Sequence, residues 1–339
     1  MLTNSHAQFS NRAAAARVQL GNTPVQVSRF SFGGATLTHL SERDAQDLLH
    51  KAVQAGVTHI DTSPKYGLGK SENDIGKFLR SGGVARDKIT ISSKFGYDIV
   101  NGTEEVDKVL MDFSRDGILR AVDASLKRLG TDYLDIGFVH DPDQGISWWR
   151  EPNPYRLSHF NKVLDQTYPT FVELKEQGVF RAIGVGMNGC EMLLDFARSQ
   201  AIFDCFIAAT RFSLITQEAT QELLPLCKER GIAVLLASVF HNGFMHRAAG
   251  YHGLSETPPE VLAKREQVLK LCSQHNVNFE AASIQLALAQ PAVASILVGV
   301  NSGEHLETDL RAFDLNVPPE FWQLLRQSGL ISENVQLPG

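Results

Sequence analysis

The sequence predicts an α/β chain folded as a (β/α)₈ TIM barrel, and three observations lead there. Short, nearly continuous apolar runs rich in Val and Ile alternate with stretches of helical period, the pattern left by parallel strands covered on both faces. The alternation recurs eight times along the chain, and eight strand–helix units favour a closed barrel over an open doubly wound sheet. No shift of composition marks a second domain within the 339 residues. Residues 17–339 are therefore expected to form one barrel with an N-terminal β-hairpin and long loops at its C-terminal face, preceded by a disordered leader over 1–16.

The elements follow in order. Two short runs, 17–20 and 25–27, flank Gly21-Asn22-Thr23-Pro24 and read as a hairpin. A first strand over 29–32 ends at Gly33-Gly34, and Ser41 is an N-cap for a helix to about Ala55 whose inner stripe is Leu48, Leu49, Ala52 and Val53. The unit repeats as strands 57–61, 89–94, 133–140, 181–186, 204–210, 232–238 and 294–300. Helices are expected near 71–80, 115–129, 163–177, 190–199, 217–230, within 259–290 and over 302–313. Two connections, roughly 95–114 and 141–161, are long and leave C-terminal strand ends, where barrel enzymes build their sites.

Bulk composition narrows the function classes. With 43% hydrophobic and 21% charged residues the chain can bury a large core, and a net charge of -6 offers no broad attraction to nucleic acid or an anionic membrane. No apolar stretch is long enough for a membrane span and no secretory signal opens the chain, so a cytoplasmic protein is expected. The four cysteines, Cys190, Cys205, Cys227 and Cys272, lack metal or redox spacing and read as reduced packing residues. His241, His246 and His252 are too loosely spaced for a familiar metal site, so no metal is expected. A small-molecule substrate is the expected partner, and self-association is left open.

Four chemistry-bearing residues lie at or just past adjacent strand ends: Asp61, Tyr66, Lys94 and His140. They suit proton transfer coupled to hydride transfer at a carbonyl. A tyrosine alone titrates near 10, too high for a base at neutral pH. A lysine ammonium beside it stabilises the phenolate and lowers that value, and a carboxylate keeps the ammonium charged. A neighbouring histidine can donate to the substrate oxygen. Nothing in the group supplies a reductant, so the hydride must come from or go to a cofactor.

With these residues in place, GVTHIDTSPKYG (56–67), the lysine of ISSKFG (91–96) and the histidine of FVHDPD (138–143) resemble the aldo-keto reductase superfamily, from Arg17 to about Phe313. The resemblance implies Asp61, Tyr66, Lys94 and His140 as a catalytic tetrad with Tyr66 as acid/base. It also implies a hairpin closing the barrel bottom, and NAD(P)(H) lying extended across the C-terminal face without a Rossmann domain. Gly184-Val185-Gly186-Met187-Asn188-Gly189 satisfies the dinucleotide pattern G-x-G-x-x-G. It lies mid-chain, however, and Asp204 begins the next strand where an acidic residue should close it. By resemblance it is the loop that holds the nicotinamide carboxamide, with Asn188 as donor and Gly186 allowing close approach.

Other cofactor positions match unevenly. The glutamine usual near the end of the sixth strand is absent from Ala208-Ala209-Thr210-Arg211-Phe212. Ser238 and Phe240 stand where a stacking residue is usual, and core packing accounts equally well for Phe212. LVGVNSGEHLETDL (297–310) resembles the adenosine-binding loop, giving Gly299, Asn301, His305 and Asp309 as contacts. It contains no Lys or Arg, whereas a 2′-phosphate needs charge-assisted partners. NAD is thus expected over NADP, with Arg311 or a residue elsewhere as the alternative source of charge. Trp148 and Trp149, in the loop after His140, are substrate-binding candidates; anchoring of their own loop is an equal reading.

Within the superfamily the HDPD segment, the long loop and the uncharged adenosine loop are most similar to the aldose 1-dehydrogenases, which oxidise free sugars such as L-fucose, D-arabinose or L-galactose at C1 to the lactone. Pyridoxal 4-dehydrogenase shares these features, a general aldehyde reductase ranks third, and a non-enzymatic cofactor-binding barrel remains the reading from another class.

Overall fold

The computed structural model describes residues 12–82, 84–99, 109–143, 159–247, 251 and 257–339. Its centre is a closed barrel of eight parallel strands: β3 (Phe30–Gly33), β4 (His59–Asp61), β5 (Thr90–Phe95), β8 (Leu134–His140), β9 (Phe180–Met187), β10 (Cys205–Ala209), β11 (Ala233–Ala237) and β12 (Val293–Val298). β12 pairs with β3 through Ile296↔Phe30 and Val298↔Phe32, which closes the ring. The (β/α)₈ class read from the sequence is the fold observed.

Side-chain alternation explains both cores. Along β5, Ile91 and Phe95 join the apolar layer between strands and helices, as do Phe30 and Phe32 of β3. Residues of opposite parity face the barrel axis, and there Ile136, Phe138, Ile207, Leu235 and Leu297 make a second cluster with Leu20, Val25 and Val27. Those last three come from the hairpin, whose strands β1 (Arg17–Gln19) and β2 (Gln26–Ser28) pair antiparallel. The hairpin therefore caps the interior, burying apolar side chains that would otherwise meet water at the barrel's N-terminal end.

Helix starts follow their caps. Ser41, Ser114, Asn278 and Ser302 each accept from the backbone N–H three residues on, which satisfies one otherwise orphaned donor. Several boundaries differ from the sequence reading. Residues Arg12–Ala15, assigned to the leader, form a helical turn whose Ala14 is fully buried, and Ala16 O accepts from Arg29 N at 2.9 Å. The second strand begins at His59 rather than residue 57. The helix expected over 163–177 starts at Phe160 and carries a π turn, Val163–Thr167, before Tyr168–Glu176. The helix expected over 217–230 divides into Glu218–Thr220 and Leu223–Arg230. A further helix, Pro319–Gln327, buries Phe321, Trp322 and Leu325; its period is plain once its Pro-Glu start is recognised.

The long connection after β5 begins and ends as an antiparallel ribbon, β6 (Tyr97–Ile99) with β7 (Val109–Met111). Apolar runs on either side of Asn101-Gly102 were the available signal. Most of the connection after β8, with Trp148 and Trp149, lies outside the described residues.

Candidate active site

A cavity of about 1070 Å³ opens at the C-terminal ends of the strands. Asp61, Tyr66, Lys94 and His140 border it, as do all eight expected cofactor contacts: Gly186, Asn188, Ser238, Phe240, Gly299, Asn301, His305 and Asp309. The structure thus brings together every one of these residues, which come from the ends of several strands and the connections that follow them. Trp148 and Trp149, the substrate-binding candidates, lie outside the described residues.

Strand register assembles one end of the cavity. Asp61 pairs with Ser92 and Lys94 with Phe138, so the inward positions of β4, β5 and β8 stack at the barrel mouth. The Lys94 ammonium donates to the Asp61 carboxylate, to Thr62 O at 2.9 Å and to Tyr66 Oη at 3.0 Å. Three protons meet three acceptors, the full valence of an ammonium. Because Tyr66 Oη accepts from Lys94, its own proton is free to point into the cavity. Ser93, one residue before Lys94, faces outward and donates to the fully buried Glu72 at 2.7 Å, and Arg128 pairs with the same carboxylate. That bond pins the strand from behind.

The electrostatics of this cluster are dominated by burial. Burial opposes the charge on Lys94, but Asp61 and Tyr66 outweigh it and push the ammonium up to about 12. Burial raises the Asp61 carboxyl, with Lys94 and Ser92 pulling the other way. For Tyr66, burial also comes first and lifts the phenol above its usual value, against the lowering effect of Lys94. The expectation that lysine brings the tyrosine down thus holds for the sign of the Lys94 contribution and fails for the net shift. The desolvation of a phenolate here costs more than one shared ammonium returns.

His140 stands edge-on to Tyr66, ring centroids 5.9 Å apart. Burial, Lys94 and Lys65 hold its pKa well below the usual imidazole range, so the ring is neutral. Ser63 Oγ lies 3.1 Å from His140 Nδ1 and accepts from Lys65 N. With the Ser63 hydroxyl donating to Nδ1, the ring proton would sit on Nε2, toward the cavity. Nε2 is 3.7 Å from Asp141 Oδ2. Sequence reasoning gave no role to Ser63, Lys65, Tyr97 or Asp141. Asp141 holds a left-handed backbone, φ +39°, fixed by Asp141 N donating to Gly186 O at 2.9 Å and by Tyr97 Oη donating to its carbonyl at 3.2 Å. Burial drives its carboxyl up to about 6, against Lys65 and with Asp143.

Beneath the tetrad, the side of the barrel interior formed by β12, β3, β4 and β5 is polar. Ser92 Oγ donates to Asp61 Oδ1 at 2.7 Å and lies 2.9 Å from His59 Nε2. His59 Nδ1 is 2.8 Å from Ser31 Oγ, itself 2.7 Å from Ser295 Oγ. All five residues are almost wholly buried.

The G-x-G-x-x-G match has two different glycines at its start. A β-carbon on Gly184 would come within 2.2 Å of Cys205 O, so packing of β9 on β10 demands glycine there. A β-carbon on Gly186 would sit 3.4 Å from Ile207, ordinary contact, so the protein's own packing does not require it. Asp204 is structural: its carboxylate accepts from Ile183 N at 2.8 Å and pairs with Lys175. Asn188 is anchored through its carbonyl, which accepts from Arg211 Nε, and Arg211 also pairs with Glu218 at 3.0 Å. Phe212, Phe244, Met245 and Trp322 are buried core. The four cysteines are buried and unbridged. Among the described residues no His/Cys/Asp/Glu group could hold a metal ion, and no helix is long and apolar enough to cross a membrane.

The far end of the cavity is built on the helix Gly303–Ala312. Ser302 caps it, and His305 Nδ1 lies 2.7 Å from Asn301 Oδ1. Asp309 and Glu280 both border the cavity. Burial, then Glu280, raises the Asp309 carboxyl to about 7. Arg311 pairs with Glu307 at 3.3 Å and does not line the cavity; Lys51 lies against Gly303, also outside the lining.

A parallel barrel with an Asp–Tyr–Lys–His cluster at its mouth defines a class of barrel proteins whose site suits proton transfer beside a carbonyl. Residues 29–329 match the Aldo/keto reductase family, and the chain belongs to that family of oxidoreductases. Curated relatives include pyridoxal 4-dehydrogenase of Microbacterium luteolum, 30% identical over 92% of this chain and 97% of that protein. D-threo-aldose 1-dehydrogenase of Pseudomonas sp is 29% identical over 86% and 90%. L-galactose dehydrogenase of Arabidopsis thaliana is 26% identical over 86% of each. Among solved structures, a glycerol dehydrogenase of Gluconobacter oxydans superposes with a TM-score of 0.74 at 20% identity, covering 96% of this chain and 98% of that one. The holo form of an aldo-keto reductase of Bacillus halodurans gives 0.73 at 24%, over 93% and 96%. Likeness at that level speaks for the fold.

Proposed function

We propose that the chain is an NAD-dependent dehydrogenase of sugar-type hemiacetals, oxidising C1 of an aldose to the lactone, with Asp61, Tyr66, Lys94 and His140 as its catalytic group. The observation that carries the reading is the Lys94 ammonium shared between the Asp61 carboxylate and Tyr66 Oη beside a neutral His140, all bordering one cavity. Tyr66, as phenolate, would take the proton of the anomeric hydroxyl as the C1 hydride departs, and Lys94 would stabilise the phenolate until that proton arrives. His140, donating through Nε2, would orient the reacting oxygen. Asp141, whose carboxylate lies 3.7 Å from that nitrogen, would accept from a neighbouring sugar hydroxyl. A plain aldehyde has no such hydroxyl, which favours a polyhydroxylated substrate over a general aldehyde.

The residues fit a nicotinamide cofactor. Gly186 leaves open a position that a β-carbon could fill without a clash, and Asn188 and Ser238 border the same space. Gly299, Asn301, His305 and Asp309 would hold the adenosine half. When bound, the cofactor supplies the hydride acceptor that none of these side chains can be. Two carboxylates, Asp309 and Glu280, at the adenosine end support NAD over NADP, because a 2′-phosphate would meet like charge.

The test is absorbance at 340 nm with NAD or NADP against a panel of free aldoses, pyridoxal and simple aldehydes. The reading expects aldose oxidation with NAD to lead, and to quicken as pH rises, since the raised Tyr66 phenol must lose its proton to act as base. Turnover confined to simple aldehydes with NADPH would overturn it. Pyridoxal as the leading substrate would favour the second reading, which the 30% identity to pyridoxal 4-dehydrogenase supports.

A further inference from the structure

Five buried side chains link the barrel axis to the catalytic carboxylate: Ser295, Ser31, His59, Ser92 and Asp61. None of the first four reaches the substrate space of the cavity. The distances of 2.7, 2.8, 2.9 and 2.7 Å make four successive hydrogen bonds, but each hydroxyl has one proton, so the chain can run in two directions.

In the first direction Ser295 donates to Ser31, Ser31 to His59 Nδ1, His59 Nε2–H to Ser92, and Ser92 to Asp61. Here Ser295 gives up its alternative bonds to the carbonyls of Ser28 and Arg29, 2.7 and 3.0 Å away. In the second, Ser295 donates to a carbonyl, Ser31 donates to Ser295, and His59 Nδ1–H donates to Ser31. Ser92 then either turns its proton to the bare His59 Nε2, and Asp61 Oδ1 loses its donor, or keeps it on Asp61, and two lone pairs face each other across the 2.9 Å contact between Nε2 and Ser92 Oγ. A bond to a carboxylate is about twice as strong as one between neutral groups, and a buried charged acceptor left unmet is the costlier loss. Against the one neutral carbonyl bond that Ser295 gives up stands either a lost charge-assisted bond or a buried 2.9 Å contact with no proton in it, and the first direction wins.

We propose that His59 is a positioning residue of the catalytic group: a neutral imidazole held as the Nε2–H tautomer, through which a one-way line of donors runs from Ser295 to Asp61 and fixes the carboxylate that holds Lys94. The doubly protonated ring is excluded by its surroundings, since burial and then Lys94 push His59 down to about 3. Donors in series polarise one another, which strengthens the last bond to Asp61. The consequence reaches Tyr66 through Lys94, because both Asp61 and Tyr66 accept hydrogen bonds from the same ammonium. The charged groups facing Tyr66 are Lys94, Asp61 and Asp141, with neutral His140 edge-on; those facing His59 are Lys94 and, through Ser92, Asp61.

The inference rests on the proposed function for its catalytic consequence but not for its geometry, so two measurements separate them. The first is a two-bond ¹H–¹⁵N correlation spectrum of the uniformly labelled, unliganded chain at neutral pH, with His59 assigned by comparison with His59→Gln. A protonated Nε2 and bare Nδ1 are expected; an Nδ1–H ring or an imidazolium overturns the proposal whatever the enzyme does. The second is the pH profile of kcat with NAD and the best aldose of the panel. His59→Leu breaks the line and is expected to move the Tyr66-controlled limb to higher pH and lower kcat at neutrality about tenfold, with KM for NAD unchanged. His59→Gln can accept from Ser31 and donate to Ser92, and should restore the parent profile. Folded His59→Leu with the parent profile, or a glutamine variant as impaired as the leucine one, overturns the positioning role. Should His59→Leu not fold, Ser92→Ala, which removes the last donor with little loss of volume, is read by the same criterion. A chain that oxidises no aldose at any pH defeats the proposed function, while the ring spectrum still decides the direction of the line.

Discussion

At the mouth of β4, β5 and β8 the ionic groups are buried in compensating sets: Lys94 with Asp61, and Glu72 with Arg128 behind them. At the other end of the same cavity, Asp309 and Glu280 face each other's negative charge. The first arrangement fixes geometry, because a buried pair with its hydrogen bonds filled has one low-energy arrangement. The second leaves a field that a ligand must satisfy. Where charge is cancelled internally the residues are set to act on a bound molecule; where it is left over, the role proposed for them is to select which molecule binds.

The comparison is broken most severely by removing the proposed acid/base. Tyr66→Phe keeps the ring and deletes the hydroxyl that Lys94 holds at 3.0 Å; turnover should fall by about 10²–10⁴-fold. NAD affinity measured by fluorescence quenching should hardly change. A Tyr66→Phe variant of near-parent kcat would remove this side chain from the chemistry.

Next in size is the loss of compensation. Lys94→Met leaves the Asp61 carboxylate, 1% exposed, without its cation and should cost about 3–5 kcal/mol of stability in chemical denaturation. Adding Asp61→Asn should recover part of that loss, since the orphaned charge is gone. Two additive losses would mean that the pair contributes nothing as a pair.

At the selecting end the effects should be smaller. Asp309→Asn removes one repulsive charge and should raise kcat/KM for NADP relative to NAD about tenfold, as expected for a unit charge some ~10 Å away at an effective dielectric constant near ~20. The sign with pH follows from the raised value of about 7. Asp309 is largely neutral at pH 6 and charged at pH 8, so discrimination against NADP should strengthen as pH rises. In Asp309→Asn any remaining pH dependence should match the titration of the 2′-phosphate alone. An unchanged cofactor ratio in that variant would move the selecting charge elsewhere.

The smallest change sharpens the difference between two neighbouring glycines. Gly186→Ala adds a β-carbon in ordinary contact with Ile207, so stability should stay within about ±0.5 kcal/mol while NAD binds more weakly. Gly184→Ala drives a carbon against Cys205 O and should lower the melting temperature markedly. The reverse pattern would show that Gly186 serves the fold rather than a ligand.

Much of this is legible along the chain. The eight strands, the hairpin and the tetrad follow from local rules: period-two and period-3.6 patterning, cap residues, and the placement of Asp61, Lys94 and His140 at the ends of apolar runs. The residues expected to contact a cofactor were reachable through the resemblance, and all eight border the cavity. What escaped has a common cause. The helix Pro319–Gln327 was not among the expected helices, because its packing partners are distant in sequence. The ribbon of Tyr97–Ile99 with Val109–Met111 depends on a pairing across a long connection.

By itself the sequence determined which residues are strand, which are helix and which strand ends carry ionisable groups, since each depends on a few neighbours along the chain. Register between strands was decided only by the tertiary structure. It turned Ser31, His59, Ser92 and Ser295, four unremarked polar residues inside apolar runs, into one buried line ending on Asp61. It also reversed the net shift of Tyr66: the sequence shows that a lysine is at hand, but the desolvation that outweighs it is a property of the closed barrel, because burial depends on everything packed around a side chain and not on its neighbours in the chain.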